Sequence, residues 1–329
     1  MRLMVMSPIE NISAPVADYL DYYRQKMGEY LAEETHLISA VTQHIFSSTG
    51  KMIRPITLFL SASALGSNDK NMVEPAIALE LIHTATLMHD DVIDQSNFRR
   101  GIETVNYQWS NLVAVLMGDY FFAKALKILV NTKQQGLLEA VSTATERVSI
   151  GELAQVQELN NTSLTEQEYM AIISDKTASL FSCAGQCGGI VAGTNGENLK
   201  SLYEYGENLG IAFQITDDLL DYIGEEEKLG KGTGNDLKEG WFTLPLLYSL
   251  NNCSTSVGKE IKEILNNGFR EEQFDRILLF VNETGGIEYS RKRAETFRNR
   301  ALDALEGIEA SIFKDALISL TDFTVTREK

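Results

Sequence analysis

Apolar side chains recur along this chain at intervals of three and four residues, which places them on single faces of α-helices. Between about residues 9 and 47 the recurring positions are Tyr19, Tyr23, Met27, Tyr30, Leu31, Leu37 and Ile38. Residues 75–94 carry Ile77, Leu81, Ala85, Met88 and Val92, and residues 111–130 carry Val113, Leu116, Met117, Tyr120, Phe121 and Phe122. A helix is predicted over 146–162, with Gln155 on it. Another starts at Thr165, where Glu168 three positions later completes a capping-box pattern. It runs through Lys176-Thr177-Ala178-Ser179-Leu180 into a glycine- and alanine-rich stretch. A further helix covers 200–223, and more follow from Leu244-Pro245 to about residue 322. Alternation at period two is scarce. The fold is therefore expected to be all-α, one large helical bundle with its site in the core between facing helices.

Three segments interrupt the helical pattern. Gly50-Lys51-Met52-Ile53-Arg54-Pro55 breaks it and then restarts it, since Pro55 suits the first turn of a helix. Gln95-Ser96-Asn97-Phe98-Arg99-Arg100-Gly101 reads as a polar loop after the 75–94 helix. Residues 224–236 form a glycine-rich loop containing Gly230, Lys231, Gly232 and Gly234. Its spacing does not match the G-x-x-x-x-G-K-[ST] pattern of a phosphate-binding P-loop.

Composition narrows the picture. The 329 residues are 44% apolar with only five prolines, and no linker or composition break divides them, so one domain over 1–329 is expected. No repeat period is evident. The net charge of −17 argues against a nucleic-acid partner. It also repels anionic ligands at long range, so any phosphate site needs local cations. Three cysteines are too few for a disulfide framework, and Cys183 and Cys187 lie in a small-residue stretch suited to close helix packing. The N-terminal residues have no run apolar enough for a signal peptide. Asp119, Lys124 and Lys127 interrupt the most apolar stretch, 112–130, so no membrane span is assigned and a cytoplasmic protein is expected.

Two acidic runs, Asp90-Asp91-Val92-Ile93-Asp94 and Asp217-Asp218-Leu219-Leu220-Asp221, share the pattern D-D-x-x-D on predicted helices. Residues three and four apart share a face, so Asp90 pairs with Asp94, and Gln214 and Asp217 with Asp221. Such clusters repel themselves unless cations sit over them. Hard divalent ions such as Mg2+ prefer carboxylate oxygens and take phosphates as further ligands. One such run is ordinarily a solvated helix face; two beside apolar residues suit a metal-held diphosphate.

The nearby basic residues fit that chemistry. Lys51 and Arg54 stand at a helix N-terminus, whose free N–H groups favour anions. His83 lies seven residues before Asp90, two turns along the same helix. Arg99 and Arg100 follow the first run directly, and arginine offers a planar fork for phosphate oxygens. The aromatic pair Phe121 and Phe122 is ordinarily core, but it also suits the wall of an apolar cavity.

On these residues the chain resembles the trans-isoprenyl diphosphate synthases, the polyprenyl synthase family, and within it the long-chain subgroup of the octaprenyl diphosphate synthase type. The resemblance spans nearly the whole chain. Its motifs come in family order: Gly50-Lys51-x-x-Arg54-Pro55, His83, Asp90–Asp94 with Arg99-Arg100-Gly101, Lys176-Thr177, Gln214-x-x-Asp217-Asp218-x-x-Asp221 and Gly230-Lys231. It implies that Asp90, Asp94 and Asp217 bind three Mg2+ ions on the diphosphate of an allylic primer, which Arg99, Lys176, Gln214 and Lys231 also hold. Lys51, Arg54, His83 and Arg100 would hold the diphosphate of isopentenyl diphosphate, and Thr177 would lie close to the reacting carbons. A homodimer is implied in the same way.

Two departures stand out. Where the family commonly has Gly-Gly-Lys, this chain has Thr49-Gly50-Lys51. Where the family commonly has lysine after Glu-Gly, it has Trp241 in Glu239-Gly240-Trp241-Phe242-Thr243-Leu244-Pro245. The residues four and five before Asp90 are Thr86 and Ala85, one turn down the helix at about 1.5 Å of rise per residue. Both are small, so a growing tail is expected to pass them, with Phe121 or Phe122 as the floor and a product of about thirty to fifty carbons. A short-chain synthase is the nearest alternative. A class I terpene cyclase is disfavoured by the intact second run together with Lys51, Arg54 and His83, and a non-catalytic subunit by both complete runs. A phosphohydrolase reading of His89-Asp90 lacks partner histidines, since only His36, His44 and His83 remain.

Overall fold

A computed structural model of the chain describes residues 7–32, 35–48, 50–224, 234–253 and 256–326. Among them the regular structure is almost wholly helical. The helices are α1 (Pro8–Ser13), α2 (Ala17–Leu31), α3 (His36–Ser47), α4 (Ile53–Ala64), α5 (Val73–Ile93), α6 (Val105–Gln108), α7 (Asn111–Thr132) and α8 (Gln135–Gln157). After these come α9 (Glu166–Ile173), α10 (Ser179–Val191), α11 (Gly196–Ile223), α12 (Asn235–Glu239), α13 (Leu244–Asn252), α14 (Ser256–Asn266), α15 (Phe274–Glu283), α16 (Gly286–Ala304) and α17 (Ile312–Thr326). The expected all-α class is the one observed. None of these helices is long and apolar enough to cross a membrane.

The chain falls into two compact units. One comprises Met1–Thr145, Leu180–Gly206 and Ala304–Leu320; the other comprises Glu146–Ser179, Glu207–Asp303 and Thr321–Lys329. Each unit draws on several chain segments, and the divisions fall inside α8, α10, α11, α16 and α17. No linker composition marks them.

In the first unit α5 is the axis, packing along α7 and against α2 and α4. Its residues Val73, Ala76, Ile77, Leu81 and Ala85 are buried, and α4 is buried along nearly its whole length. The small-residue stretch of α10 allows close packing, as its sequence suggested. A Cβ on Gly185 would meet the backbone of Leu202, and one on Gly188 the backbone of Leu58. Cys183 and Cys187 are buried free thiols with sulfurs 3.8 Å apart. In the second unit a core of Tyr169, Ile173, Ile215, Tyr222, Phe242, Leu246, Phe280 and Val281 gathers α9, α11, α13 and α15.

Three details differ from the sequence reading. The segment 9–47 is divided among α1, α2 and α3, and α8 starts at Gln135, well before residue 146. The polar loop after α5 is instead a small hairpin, β1 (Phe98–Arg99) and β2 (Ile102–Glu103), pairing Phe98 with Glu103 and Arg99 with Ile102. Its two-residue turn has Arg100 at φ 51° and Gly101 at φ 79°. Two left-handed residues make the turn that matches strand twist. Strands this short leave no alternation to read.

Candidate active site

In the first unit the first aspartate run ends α5. Asp94 is the C-cap, with its N–H donating to the Asp90 carbonyl at 2.8 Å. Asp90 and Asp94 lie one turn apart, and Asp94 is exposed. Asp91 points elsewhere: the residue is 6% exposed and its carboxylate accepts from Arg99 Nε at 2.7 Å. The Asn106 side chain donates to the Asp91 and Ser96 carbonyls, both at 3.1 Å, and Thr104 Oγ1 to Ser96 O at 2.6 Å. These bonds anchor the hairpin to the end of α5, and with it Arg99 and Arg100.

The cationic group of this unit forms around α4 and the middle of α5. Met52, at φ 50°, is the N-cap of α4, and Arg54 sits in the first turn. The Arg54 guanidinium lies 4.7 Å from the centre of the Phe181 ring. Burial lowers its pKa to about 10, against the opposing pull of Glu80. Burial pushes the Glu80 carboxyl up, opposed by Arg54 and Arg100. The His83 imidazole is held well below its usual range, first by burial and then by Arg54, Arg100 and Arg99. It is a neutral ring among cations. Gly50 lets Arg100 in, because a Cβ there would run into the Arg100 guanidinium. Lys51 is exposed beside this group.

A cavity of about 590 Å³ opens beside these residues, and its lining includes Gly50, His83, Arg99 and Arg100 together with Met27, Leu31, Phe46 and Met88. Of the four residues proposed to govern chain length, none is among its described lining. Ala85 is buried on α5, and Thr86 Oγ1 donates to His83 O at 2.8 Å. Phe121 is fully buried with its ring 6.1 Å from that of Phe46, and Phe122 lies 5.9 Å from the His89 ring.

In the second unit α9 opens with the capping box expected at Thr165 and Glu168. Its continuation into α10 is not regular, because residues Ser174–Ala178 form a π-helical turn. Such turns recur at functional sites. This one presents Lys176 and Thr177. Helix α8 supports it from one face: a Cβ on Gly151 would meet the Lys176 backbone, and Glu152 Oε2 accepts from Lys176 Nζ at 2.8 Å. One turn earlier Arg147 donates to Asp175 at 2.7 Å and to the Ser174 carbonyl at 3.1 Å. Arg147 had no motif to mark it in the sequence, beyond its i, i+4 spacing from Gly151.

The second aspartate run lies on α11. Asp217 is exposed, and Asp218 and Asp221 are committed to the protein. Thr177 Oγ1 donates to Gln214 Oε1 at 2.7 Å, and Gln214 Nε2 donates to Asp218 Oδ1 at 2.6 Å. Tyr169 donates to the other oxygen of Asp218 at 2.5 Å. Burial raises the Asp218 carboxyl to about 7 against the hydrogen bonds from Tyr169 and Gln214. Asp221 accepts the backbone N–H groups of Asn235 and Asp236 at 3.0 and 3.1 Å, which caps α12. Burial raises Asp221 as well. The two D-D-x-x-D runs thus divide labour in different ways; Asp218 had no role assigned to it within the motif, and Tyr169 was not singled out by the sequence. Lys231, with Gly230, lies outside the described residues.

Taken unit by unit, the donors fit a hard divalent cation, Asp90 and Asp94 in the first unit and Asp217 in the second. Asp90, Asp94 and Asp217 offer carboxylate oxygens alone, the ligands Mg2+ prefers. Mg2+ characteristically takes one or two protein carboxylates and completes its shell with phosphate oxygens and water. Among the described residues no three His, Cys, Asp or Glu side chains converge on one point, as that mode of binding allows.

The Polyprenyl synthetase family model matches residues 35–279. The chain is 38% identical to the octaprenyl diphosphate synthase of Escherichia coli (strain K12) over 98% of its own length and 99% of that protein. It is 37% identical to the all-trans-nonaprenyl-diphosphate synthase (geranyl-diphosphate specific) of Rhodobacter capsulatus, covering 97% of this chain and 98% of that one. The fold is similar to the crystal structure of a polyprenyl synthase from Caulobacter crescentus CB15 complexed with calcium and isoprenyl diphosphate. The TM-score is 0.93 at 31% identity, with 98% of each chain covered. The chain belongs to the polyprenyl synthetase family.

Proposed function

We propose that the protein condenses isopentenyl diphosphate onto an allylic diphosphate primer, farnesyl or geranylgeranyl diphosphate, to build a long all-trans polyprenyl diphosphate. The observation that carries this reading is the second aspartate run, where Asp217 is exposed while Asp218 and Asp221 are held by Tyr169, Gln214 and α12. A solvated acidic face has no need of such support. Asp90, Asp94 and Asp217 would hold three Mg2+ ions, with Arg99, Lys176, Gln214 and Lys231 to hold the primer's diphosphate. When bound, the metal supplies Lewis-acid neutralisation of the charge that builds on the leaving diphosphate.

The remaining work falls to the chain. Arg54, His83 and Arg100 take the isopentenyl diphosphate with Lys51, and the neutral His83 ring has an N–H to donate without adding charge. Fixed cations at the leaving group lower the barrier to ionisation. Thr177 stands close to the reacting carbons, where C–O cleavage gives an allylic cation that the isopentenyl double bond attacks. A proton is then lost to the departing diphosphate. Apolar walls exclude the water that would trap the cation. Ala85 and Thr86 leave room for the growing tail, with Phe121 or Phe122 as its floor and a product of about thirty to fifty carbons. The protein works in the cytoplasm as a homodimer, in support of which Leu112 and Leu116 of α7 stand 69% and 57% exposed with Leu126 and Val130.

Incubating the purified protein with Mg2+, labelled isopentenyl diphosphate and farnesyl diphosphate, then sizing the extracted products, tests this reading. A ladder ending between about thirty and fifty carbons is expected. A cyclic hydrocarbon would move the assignment to a terpene cyclase, and products stopping at twenty carbons would move it to a short-chain synthase.

A further inference from the structure

Trp241, the departure from the family pattern, occupies a well-built position. Its backbone N–H donates to Asp236 O at 2.8 Å, and the preceding Gly240 carbonyl accepts from Asn160 N at 2.7 Å. Gly240 is at φ 78°, and a Cβ there would meet the Asn160 amide. Chain entry is therefore fixed from both sides. The indole is 5% exposed and stacks on the Tyr169 ring, with centres 6.1 Å apart and planes 23° from parallel. Tyr169 is itself fully buried, so its only polar atom has one direction to face. That direction is Asp218 Oδ2.

The consequence reaches Thr177. A glutamine side chain has two orientations of nearly equal shape that exchange its oxygen and nitrogen. In the second unit the choice is made by Asp218, whose oxygen Oδ1 accepts from Gln214 Nε2 and so turns Gln214 Oε1 toward the Thr177 hydroxyl. Asp218 in turn holds its rotamer through the bond from Tyr169. We infer that Tyr169, clamped by Trp241, is a positioning residue that sets the Gln214 amide and, through it, the Thr177 hydroxyl. This inference rests on the synthase reading for its kinetic consequence, though not for its geometry. Removing one of the two donors to Asp218 frees that carboxylate to turn, and the amide with it. Small misplacements at a reacting centre have large effects on rate.

The test uses the full chain and Tyr169→Phe, which keeps the ring and its stack and removes only the hydroxyl. With Mg2+, isopentenyl diphosphate and farnesyl diphosphate, kcat is expected to fall by about tenfold to a hundredfold, with KM for isopentenyl diphosphate changed by less than about twofold. The double variant Tyr169→Phe with Gln214→Ala is expected to be no slower than Gln214→Ala alone, because both act through one amide. Trp241→Phe, which retains an aromatic partner, should exceed Trp241→Leu in kcat by about fivefold. Unchanged kcat in Tyr169→Phe, or effects of Tyr169 and Gln214 that multiply independently, would overturn the inference. A crystal structure of Tyr169→Phe decides it without reference to activity. The Thr177–Gln214 hydrogen bond should be lost, and its retention refutes the clamp. A wild-type protein that extends no primer refutes the synthase reading instead, and the structural outcome then stands alone.

Discussion

Arg147 holds Glu207 with both terminal nitrogens of its guanidinium, Nη1 to Oε2 at 3.0 Å and Nη2 to Oε1 at 2.9 Å. The same side chain donates through Nε to Asp175. Ser174 completes the group, its hydroxyl donating to Glu207 at 2.5 Å. One arginine therefore neutralises two carboxylates and ties the first residues of the π-helical turn to α8 and α11. Replacing Arg147 with methionine keeps the stem and strands both acids, at a cost of about 3 kcal/mol in unfolding free energy. Lysine should not restore it, because an ammonium cannot reproduce the fork. Urea unfolding of the three proteins measures the difference, and a stable methionine variant would count against this account.

The two outer positions of the second aspartate run should respond in opposite ways to alanine. Asp217 is exposed, so Asp217→Ala should change stability by less than about 0.5 kcal/mol while lowering kcat by about a hundredfold or more. Asp221 caps α12, so Asp221→Ala should lose about 1–2 kcal/mol of stability, as other lost helix caps do. Paired measurements of denaturation midpoint and turnover separate the two. Equal losses of stability would mean that Asp217 also serves the fold.

Product length tests the floor. Phe121 is buried against Phe46, so Phe121→Leu is chosen to limit the cavity left behind, whereas Phe122→Ala is tolerable at a half-exposed site. Chromatography of the prenyl products should show the ladder moving to longer chains in one or both variants. If both leave the distribution where it was, the floor lies elsewhere.

His83 makes stability depend on pH. In the unfolded chain its imidazole titrates near 6.5, whereas burial and the three arginines hold it well below that in the folded protein. Above the unfolded value both states are neutral and the site costs nothing. As pH falls below it, the unfolded chain binds a proton that the folded one refuses, and stability drops by up to about 1.4 kcal/mol per pH unit. Between pH 7.5 and pH 5.5 the urea midpoint of the wild type should therefore fall further than that of His83→Gln. Parallel curves would show that the imidazole is not the group responsible.

Much of this could be read from the chain before its structure. Helices α4, α5, α7 and α11 have long, regular apolar periods, and a helix fixes the relative direction of residues four apart, so Asp90 and Asp94 could be paired on sight. Spacing alone could not tell Asp217 from Asp218. Adjacent residues on a helix point about 100° apart, and only the partner helix decides which is covered. Here Tyr169 covers Asp218, and it is 49 residues away. The π-helical turn escaped for a related reason. One extra residue shifts the apolar phase by about 100°, which the run of small residues after it does not reveal, and what pins the turn, Arg147 with Glu207, is joined only through the fold. In the sequence Trp241 stands where the family commonly has lysine, with no role of its own. Its stacking on Tyr169 makes it a gained contact, which no pattern of residue types near position 241 foretells.

Asp221 meets the start of α12 at two points, since Gly234 N–H donates to its carbonyl at 2.8 Å and Asn235 N–H to its carboxylate at 3.0 Å. One residue thus fixes where α11 ends and where α12 begins. Through Asp236, whose carbonyl accepts from Trp241 N–H, that junction also sets the chain entry to Trp241 and to the indole that stacks on Tyr169. The aspartate that closes the acidic run is in this way a reference point for the segment that steadies the run's middle member.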